Sequence, residues 1–370
     1  MAAYRIGFIM EQALGHITHT NNLQQNIAHD PDIQALWALI PFAARGLTAH
    51  LPLYKSNWTV RAGIQARRHI GRMLRQGRPE AFFFHTQVPA ILATDWIRRI
   101  PSIVSLDATP IQYDSLGAFY SHAKGPLWLE QLKWRLNRDC YRAARHIVTW
   151  SQWAANGLVK DYEVPAEKIT VIPPGVNIQD WANPQRRPAR PGPVKVLFVG
   201  GNLERKGGLV LLEAFRALRD EGMELHLVTR DNVAPEPGLF VYNAMQPNSP
   251  ELKQLYHHSD VFCLPTFGDC LPMVLSEAGA AGMPVVSTRV AAIPEIVHDG
   301  ETGFLVPTGN AAELTEALRT LIKRPDLRMQ QGERARQVVN RNYDAPANTR
   351  RLLELLKREV DATRLSLKVA

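Results

Sequence analysis

Cysteine is nearly absent from the chain: Cys140, Cys263 and Cys270 are the three in 370 residues. Their spacing fits neither a disulfide framework nor a zinc site, and Cys270 reads as a small loop residue rather than a nucleophile. Long uncharged apolar runs are missing too, so no membrane-spanning helix is expected. The first residues lack the basic region, apolar stretch and cleavage site of a signal peptide; Tyr4 to Met10 reads directly as a strand, and a cytoplasmic location is the expectation. Acidic residues are absent between Ile33 and Pro79, where Arg45, Lys55, Arg61, Arg67, Arg68, Arg72, Arg75 and Arg78 all fall. That block, within a formal charge of +8, suggests an acidic partner: an anionic membrane surface, a phosphorylated acceptor or nucleic acid. Nucleic acid is the least supported, because no recognisable binding motif accompanies the charge.

What is present is an ordinary globular composition, 45% hydrophobic and 21% charged, in a chain long enough for two domains that each bury a core. Short apolar runs alternate with helical patterns, the signature of an α/β chain. Arg5 to Met10, Ala81 to Phe84, Ser102 to Leu106, His146 to Trp150 and Lys168 to Ile172 read as strands of a first series. Gly15 lies in the loop after the first strand, before a helical pattern beginning near Asn21; a glycine there permits close approach of backbone to ligand, or simply a tight turn. His16 and His19 are candidates for substrate contact, although exposed loop histidines are commoner than functional ones. Ligands of open parallel sheets bind beyond the carboxyl ends of strands, which makes His85 and Asp107 candidates by position, although an Asp before a turn is also a routine cap.

Trp58 to Arg78 reads as a basic helix with a loose apolar stripe of Val60, Ile64, Ile70 and Met73 or Leu74. Such a helix either packs on its own domain or lies on anionic lipid. In Leu127 to Arg145, Trp128, Leu132, Trp134 and Leu136 stand among Lys133, Arg135, Arg138, Arg142 and Arg145. Tryptophan among cations suits a membrane interface, but helix core with a charged outer face is the commoner explanation. Asp30-Pro31-Asp32 has the form of an Asp-x-Asp metal signature. It ends a helix, a proline-containing acidic turn explains it, and no metal or other cofactor is expected.

Pro173-Pro174-Gly175, and further on Pro184 to Pro193 with Arg186, Arg187 and Arg190, read as the entry and body of a linker. A second series follows: Val194 to Val199, Glu224 to Thr229, Val261 to Leu264, Val285 to Thr288 and Gly303 to Val306. Gly200 to Gly208, with Arg205 and Lys206, leads from the first of these strands into a helix. It is not a P-loop, which needs Gly-Lys-Ser or Gly-Lys-Thr, yet glycines and paired cations at a strand end can neutralise a pyrophosphate. Thr229 and Arg230 stand where a nucleotide base could be held. Thr266 to Glu277 passes from strand through loop to a helix N-terminus, a place that favours anions. Asp269 and Glu277 there can address two ends of a ligand whose phosphates lie between them, which is the layout of a nucleotide sugar.

Three stretches carry a family resemblance: Phe267 to Glu277 (FGDCLPMVLSE), Ala280 to Ser287 (AAGMPVVS) and Ile293 to Pro307 (IPEIVHDGETGFLVP). Together with Gly200 to Gly207 and Ile172 to Val176 they resemble the glycogen-synthase-like retaining glycosyltransferases of family 4, densely over Val171 to Pro307 and more loosely before. The resemblance implies a GT-B fold, two Rossmann-like domains facing across a cleft with the last helix crossing back to the first. The expected division is 1–180 plus about 345–370 on the acceptor side and 181–344 on the nucleotide-sugar side.

The resemblance further implies that Glu277 takes the ribose hydroxyls and Asp269 the hydroxyls of the transferred sugar. Backbone near Cys270 and Leu271 would serve sugar and phosphate, Arg205 and Lys206 the diphosphate, and Gly15 would approach it from the other domain. Two departures stand out. The first acid is Asp rather than Glu, and a strand end that carries a histidine in many relatives carries Asp107 here, so either His85 or Asp107 takes that role. The implied activity is metal-independent, retaining transfer of a hexose from a nucleotide diphosphate sugar, with UDP the default carrier, to a hydroxyl acceptor. The acceptor is a lipid, a glycan or a small molecule, and residues 45–78 offer a peripheral membrane contact. The rival readings are an epimerase or hydrolase on the same fold, or a non-catalytic partner subunit.

Overall fold

The computed structural model describes residues 4–13, 15–43, 57–117, 125–182 and 192–369. Leu14, Arg45, Lys55 and most of the proline- and arginine-rich stretch lie outside the described residues. Contacts divide the chain into two units, one built mainly from residues before Gly175 together with the helix Ala345–Val369, the other mainly from Gly175–Asp344.

In the first unit, six parallel strands, β1 (Tyr4–Gln12), β2 (Ile33–Pro41), β3 (Ala81–His85), β4 (Ser102–Leu106), β5 (His146–Thr149) and β6 (Ile169–Val171), lie in the order β2-β1-β3-β4-β5-β6. The central strand β3 is Ala-Phe-Phe-Phe-His, buried at every position, as a strand covered on both faces requires. Its side chains alternate between two cores. Phe82 and Phe84 pack with Ala62, Ile70, Ile97, Tyr141 and Leu158 from helices on one face. Phe83 packs with Leu23, Leu352, Leu356 and Val360 on the other. The C-terminal helix is thus part of this first core, and Lys357 pins it at the rim through Asp30 at 2.9 Å and Asp32 at 3.4 Å.

The second unit repeats the plan with β7 (Val194–Val199), β8 (Met223–Val228), β9 (Leu239–Tyr242), β10 (Val261–Leu264), β11 (Val285–Thr288) and β12 (Gly303–Val306), in the order β12-β11-β10-β7-β8-β9. All pairings are parallel. The loops after β10, β7 and β8 therefore emerge side by side at one edge, which is what positions the second-unit site.

Several expectations are corrected. The first helix begins at His16, not near Asn21, so His16 and His19 are buried helical residues rather than loop histidines. Strands β2 and β9, each at a sheet edge, were not expected. The basic helix runs Trp58–Gln76, capped by Asn57, whose side chain accepts from Val60 N. Two of its cations are engaged within the fold: Arg61 is buried and donates to the Phe42 carbonyl at 2.8 Å, and Arg67 pairs with Asp95. The helix Leu127–Ala143 turns only part of its apolar residues into the core: Trp134, Cys140 and Tyr141 pack there, while Trp128, Leu132 and Leu136 are exposed. No helix among the described residues is long and apolar enough to cross a membrane.

Candidate functional site

In the second unit, strand adjacency brings residues far apart in sequence together. The loop after β7 and the loop after β10 leave neighbouring strand ends and are stitched by backbone: Phe267 N donates to Arg205 O at 3.0 Å. Gly207 makes this approach possible. It sits at φ +75°, and a Cβ there would lie 1.8 Å from the Pro265 carbonyl oxygen. Asn202 and Asp231 order the same loop, their carboxamide and carboxylate accepting from Arg205 N at 2.7 Å and Leu203 N at 2.5 Å.

The outcome is a compact charged group. Lys206 Nζ lies 2.6 Å from both carboxylate oxygens of Asp269. Arg205 Nη1 is 3.8 Å from the same carboxylate and donates to Gly268 O at 3.2 Å. Thr266 Oγ1 accepts from Gly268 N at 3.2 Å and shapes the turn. Cys270 and Leu271 follow, both buried, with Cys270 O accepting from Ala292 N. The helix Met273–Ala280 starts behind them with Pro272 as its N-cap.

Glu277, in the second turn of that helix, is buried, and the Tyr256 hydroxyl donates to it at 2.7 Å. Burial pushes its carboxyl up to about 7, against the opposing pull of the Tyr256 hydrogen bond and the Lys253 charge. Thr229 is buried at the end of β8, its hydroxyl accepting from Asp231 N at 3.3 Å. Arg230 is exposed, its side chain close to Gly201. Of the expected donor-side residues, Arg205, Lys206 and Asp269 touch directly; Thr229 and Arg230 belong to the adjacent strand end, and Glu277 to the helix behind. Asp231 and Tyr256 were not singled out in the sequence. An acid two residues after a strand and a tyrosine 21 positions before its partner carry no local signal.

The first unit gathers a second cluster at its strand ends. Met10 of β1 is opposite His85 of β3, and His85 is opposite Ser105 of β4. Glu11, His85 and Asp107 therefore converge. His16 Nε2 lies 3.5 Å from Asp107 Oδ2, and its Nδ1 lies 3.9 Å from Glu11 Oε1. Glu11 is further held by the Thr86 hydroxyl at 2.5 Å and by Trp58 Nε1 at 3.1 Å. The His85 ring stacks on Trp150 at 5.1 Å and has neither nitrogen hydrogen-bonded, while His19 packs against both. Gly15 precedes His16 with φ −66°, and a Cβ built there would meet nothing within 4 Å.

These three imidazoles are electrostatically unlike. Burial lowers His16, but the Asp107 hydrogen bond and charge, with Glu11, outweigh it and raise it above the usual value. His19 is pushed down to about 3 by burial and then by the His16 charge. His85 falls well below the ordinary range for the same reasons, burial first. Of the two candidates at this end, Asp107 is joined to His16, and His85 stands as a neutral ring in an aromatic stack. Among the described residues no group of three or more His, Cys, Asp and Glu side chains is arranged to hold a metal ion.

A model of Glycosyltransferase Family 4 matches residues 24–180, and one of Glycosyl transferases group 1 matches residues 193–324. The D-inositol 3-phosphate glycosyltransferase of Pseudarthrobacter chlorophenolicus is 31% identical over 214 residues, 52% of this chain and 51% of that protein. The amylovoran biosynthesis glycosyltransferase AmsK of Erwinia amylovora is 30% identical over 220 residues, 52% of each. The chain thus spans about half the length of the curated relatives it matches. The crystal structure of Anabaena HepE in complex with UDP-glucose is similar in fold, with a TM-score of 0.68 at 17% identity over 96% of this chain and 100% of that one. Two six-stranded parallel sheets and the two matched halves give one conclusion: the chain belongs to the family 4 glycosyltransferases and has their GT-B fold.

Proposed function

We propose that this protein is a retaining hexosyltransferase that moves a hexose from a UDP-sugar to a hydroxyl acceptor. The observation that carries the reading is the Arg205, Lys206 and Asp269 group at adjacent strand ends, with a buried carboxyl, Glu277, on the helix behind it. A diphosphate leaving group gains charge as the sugar departs, and two cations fixed by backbone stitching stabilise that charge where it develops. In this reading the cations do the work a metal does elsewhere, and no metal is required; Asp30 and Asp32 are taken up by Lys357. Glu277 accepts the ribose hydroxyls, Asp269 addresses the sugar, Thr229 and Arg230 face the base, and backbone at Cys270 and Leu271 serves sugar and phosphate.

The half comprising 1–180 and about 345–370 serves the acceptor, with Asp107, His85 and Gly15 as its functional residues. The half 181–344 binds the donor. UDP is favoured as carrier because a protein of like fold was crystallised with UDP-glucose. The D-inositol 3-phosphate transferase among the relatives favours a small phosphorylated acceptor, whereas the amylovoran biosynthesis transferase favours a glycan, free or carried on lipid. A lipid-carried acceptor places the reaction at an anionic membrane surface on the cytoplasmic side, where the basic residues of 45–78, Arg68, Arg72 and Arg75 among them, meet lipid headgroups.

The test is a thermal-unfolding screen against UDP-, GDP- and ADP-sugars. A donor at a hundred times its dissociation constant adds about 2.7 kcal/mol, so the true donor raises the midpoint by several degrees. A flat response to every nucleotide sugar contradicts the reading.

A further inference from the structure

Three large apolar side chains of the helix Leu127–Ala143 stand in a row on its outer face. Trp128, Leu132 and Leu136 are spaced i, i+4, i+8, which stacks them one above another. They are 66%, 44% and 41% exposed, and Leu127 beside them is 75% exposed. The ridge is not part of the inward face, which is Asn137, Cys140 and Tyr141, with Trp134 half-buried and hydrogen-bonded to the Asp161 carbonyl. An apolar ridge of this kind on an outer face marks an interaction surface.

Charge selects the occupant. Lys133, Arg135, Arg138 and Arg142 outnumber Glu130 and Asp139 on this helix, four to two. Asp139 is the acid on the outer face, and Arg135 and Arg142 flank the ridge, both exposed. The helix Trp58–Gln76 packs into the same core cluster, on the same side of the sheet, and carries five arginines and no acid. One layer of the first unit therefore carries an apolar ridge on one helix and exposed arginines, Arg68, Arg72 and Arg75, on another. A tryptophan ring at headgroup depth, leucines below it and arginines reaching to phosphate are the requirements of an anionic bilayer surface.

We propose that Leu127, Trp128, Leu132 and Leu136 insert into the interface of an anionic phospholipid bilayer, anchoring the first unit by its outer helix face. The inference rests on the membrane-surface reading above and supplies the apolar contact that a purely basic region lacks.

Sedimentation of the full chain with vesicles of phosphatidylcholine, alone or mixed with phosphatidylglycerol, tests it. The protein should bind the mixed vesicles. The Trp128→Ser, Leu132→Ser, Leu136→Ser variant should bind them about ten-fold more weakly or worse, with unchanged unfolding temperature and unchanged donor-induced stabilisation. Brominated lipid should quench the native fluorescence more than that of Trp128→Phe, which keeps the test valid if the triple variant folds poorly. Native-like binding by the triple variant, with loss of binding only in Arg68→Glu, Arg72→Glu, Arg75→Glu, overturns the insertion face and leaves the basic-region reading standing. A dimer in solution that the triple variant dissolves, with no vesicle binding by the native chain, overturns both and assigns the ridge to a second copy. Donor stabilisation is read separately, so failure of the transferase reading remains distinguishable.

Discussion

Lys206 holds both oxygens of Asp269 at 2.6 Å, across 63 positions of sequence. Two adjacent parallel strands make this possible, since β7 and β10 end side by side. Lys206→Ala should lower transfer by about 100- to 1,000-fold, and Asp269→Ala should do the same by a different route, freeing Lys206 from its orientation. The pair is nearly enclosed, with side chains 15% and 12% exposed, so Asp269→Ala leaves Lys206 without its carboxylate, whereas in Lys206→Ala the Asp269 carboxylate keeps Arg205 at 3.8 Å. A double-mutant cycle on unfolding should return a coupling of about 1–3 kcal/mol; additive effects would show that the contact is incidental.

Glu277 should make donor binding pH-dependent near neutrality. Its carboxyl is held up at about 7, and in the proposed role it is the ionised form that would accept ribose hydroxyls. Affinity for a UDP-sugar should therefore strengthen as pH rises through 7. Stability runs the other way. The folded state binds the proton more tightly than the unfolded chain, so this group's contribution is full below about 4.5 and is lost as pH rises towards 7. The rise from 4.5 to about 7 corresponds to about 3 kcal/mol. Glu277→Gln should remove that slope, stabilise the protein at alkaline pH and bind donor poorly. Equal pH dependence of unfolding in the native protein and in Glu277→Gln is the contrary result.

The histidine cluster of the first unit should be its acid-sensitive point. His19 is pushed down to about 3, so between about 6.5 and that value the unfolded chain binds a proton that the folded one does not. Its stability contribution is complete above about 6.5 and falls as pH drops through the window. His85 works in the same direction. His85→Phe keeps a ring against Trp150 and removes two unpartnered nitrogens, so it should lower the acid-unfolding midpoint without weakening the fold at about pH 8. Acid titration followed by circular dichroism reads this directly.

Gly207→Ala should be among the costlier single substitutions. The new methyl meets the Pro265 carbonyl at 1.8 Å and must adopt φ +75°. A loss of about 3 kcal/mol or more is expected in urea unfolding, together with loss of donor binding as the Arg205 loop is pushed from the Phe267 loop. A cost below about 1 kcal/mol would mean that the stitching between these loops is looser than described.

The central strands were legible because parallel strands covered on both faces read as unbroken apolar runs; Ala81 to Phe84 is the clearest case. The Thr266 to Glu277 loop was legible because glycine, proline and acids have to stand at fixed places for a strand to pass into a helix N-terminus. Strands β2 and β9 escaped notice, each lying at a sheet edge and paired on one side only. The Lys206–Asp269 and Tyr256–Glu277 contacts depend on strand order and helix packing, which no local pattern encodes. His16 was placed in a loop because Gly15 was read as part of a turn, whereas the helix begins immediately after it. The outward ridge of Trp128, Leu132 and Leu136 was legible only as one of two alternatives, helix core or membrane interface. Periodicity marks an apolar face, and only the packed structure says whether anything covers it.

The most direct test of transferase activity is the release of UDP from a panel of UDP-sugars, with a membrane extract supplying acceptors and product followed by NMR. The native protein should turn over one donor with the α-linkage of that donor kept in the product, and Lys206→Ala should be slower by about 100-fold or more while keeping the native circular dichroism spectrum. Turnover of native size in Lys206→Ala, or an inverted linkage, would contradict the account.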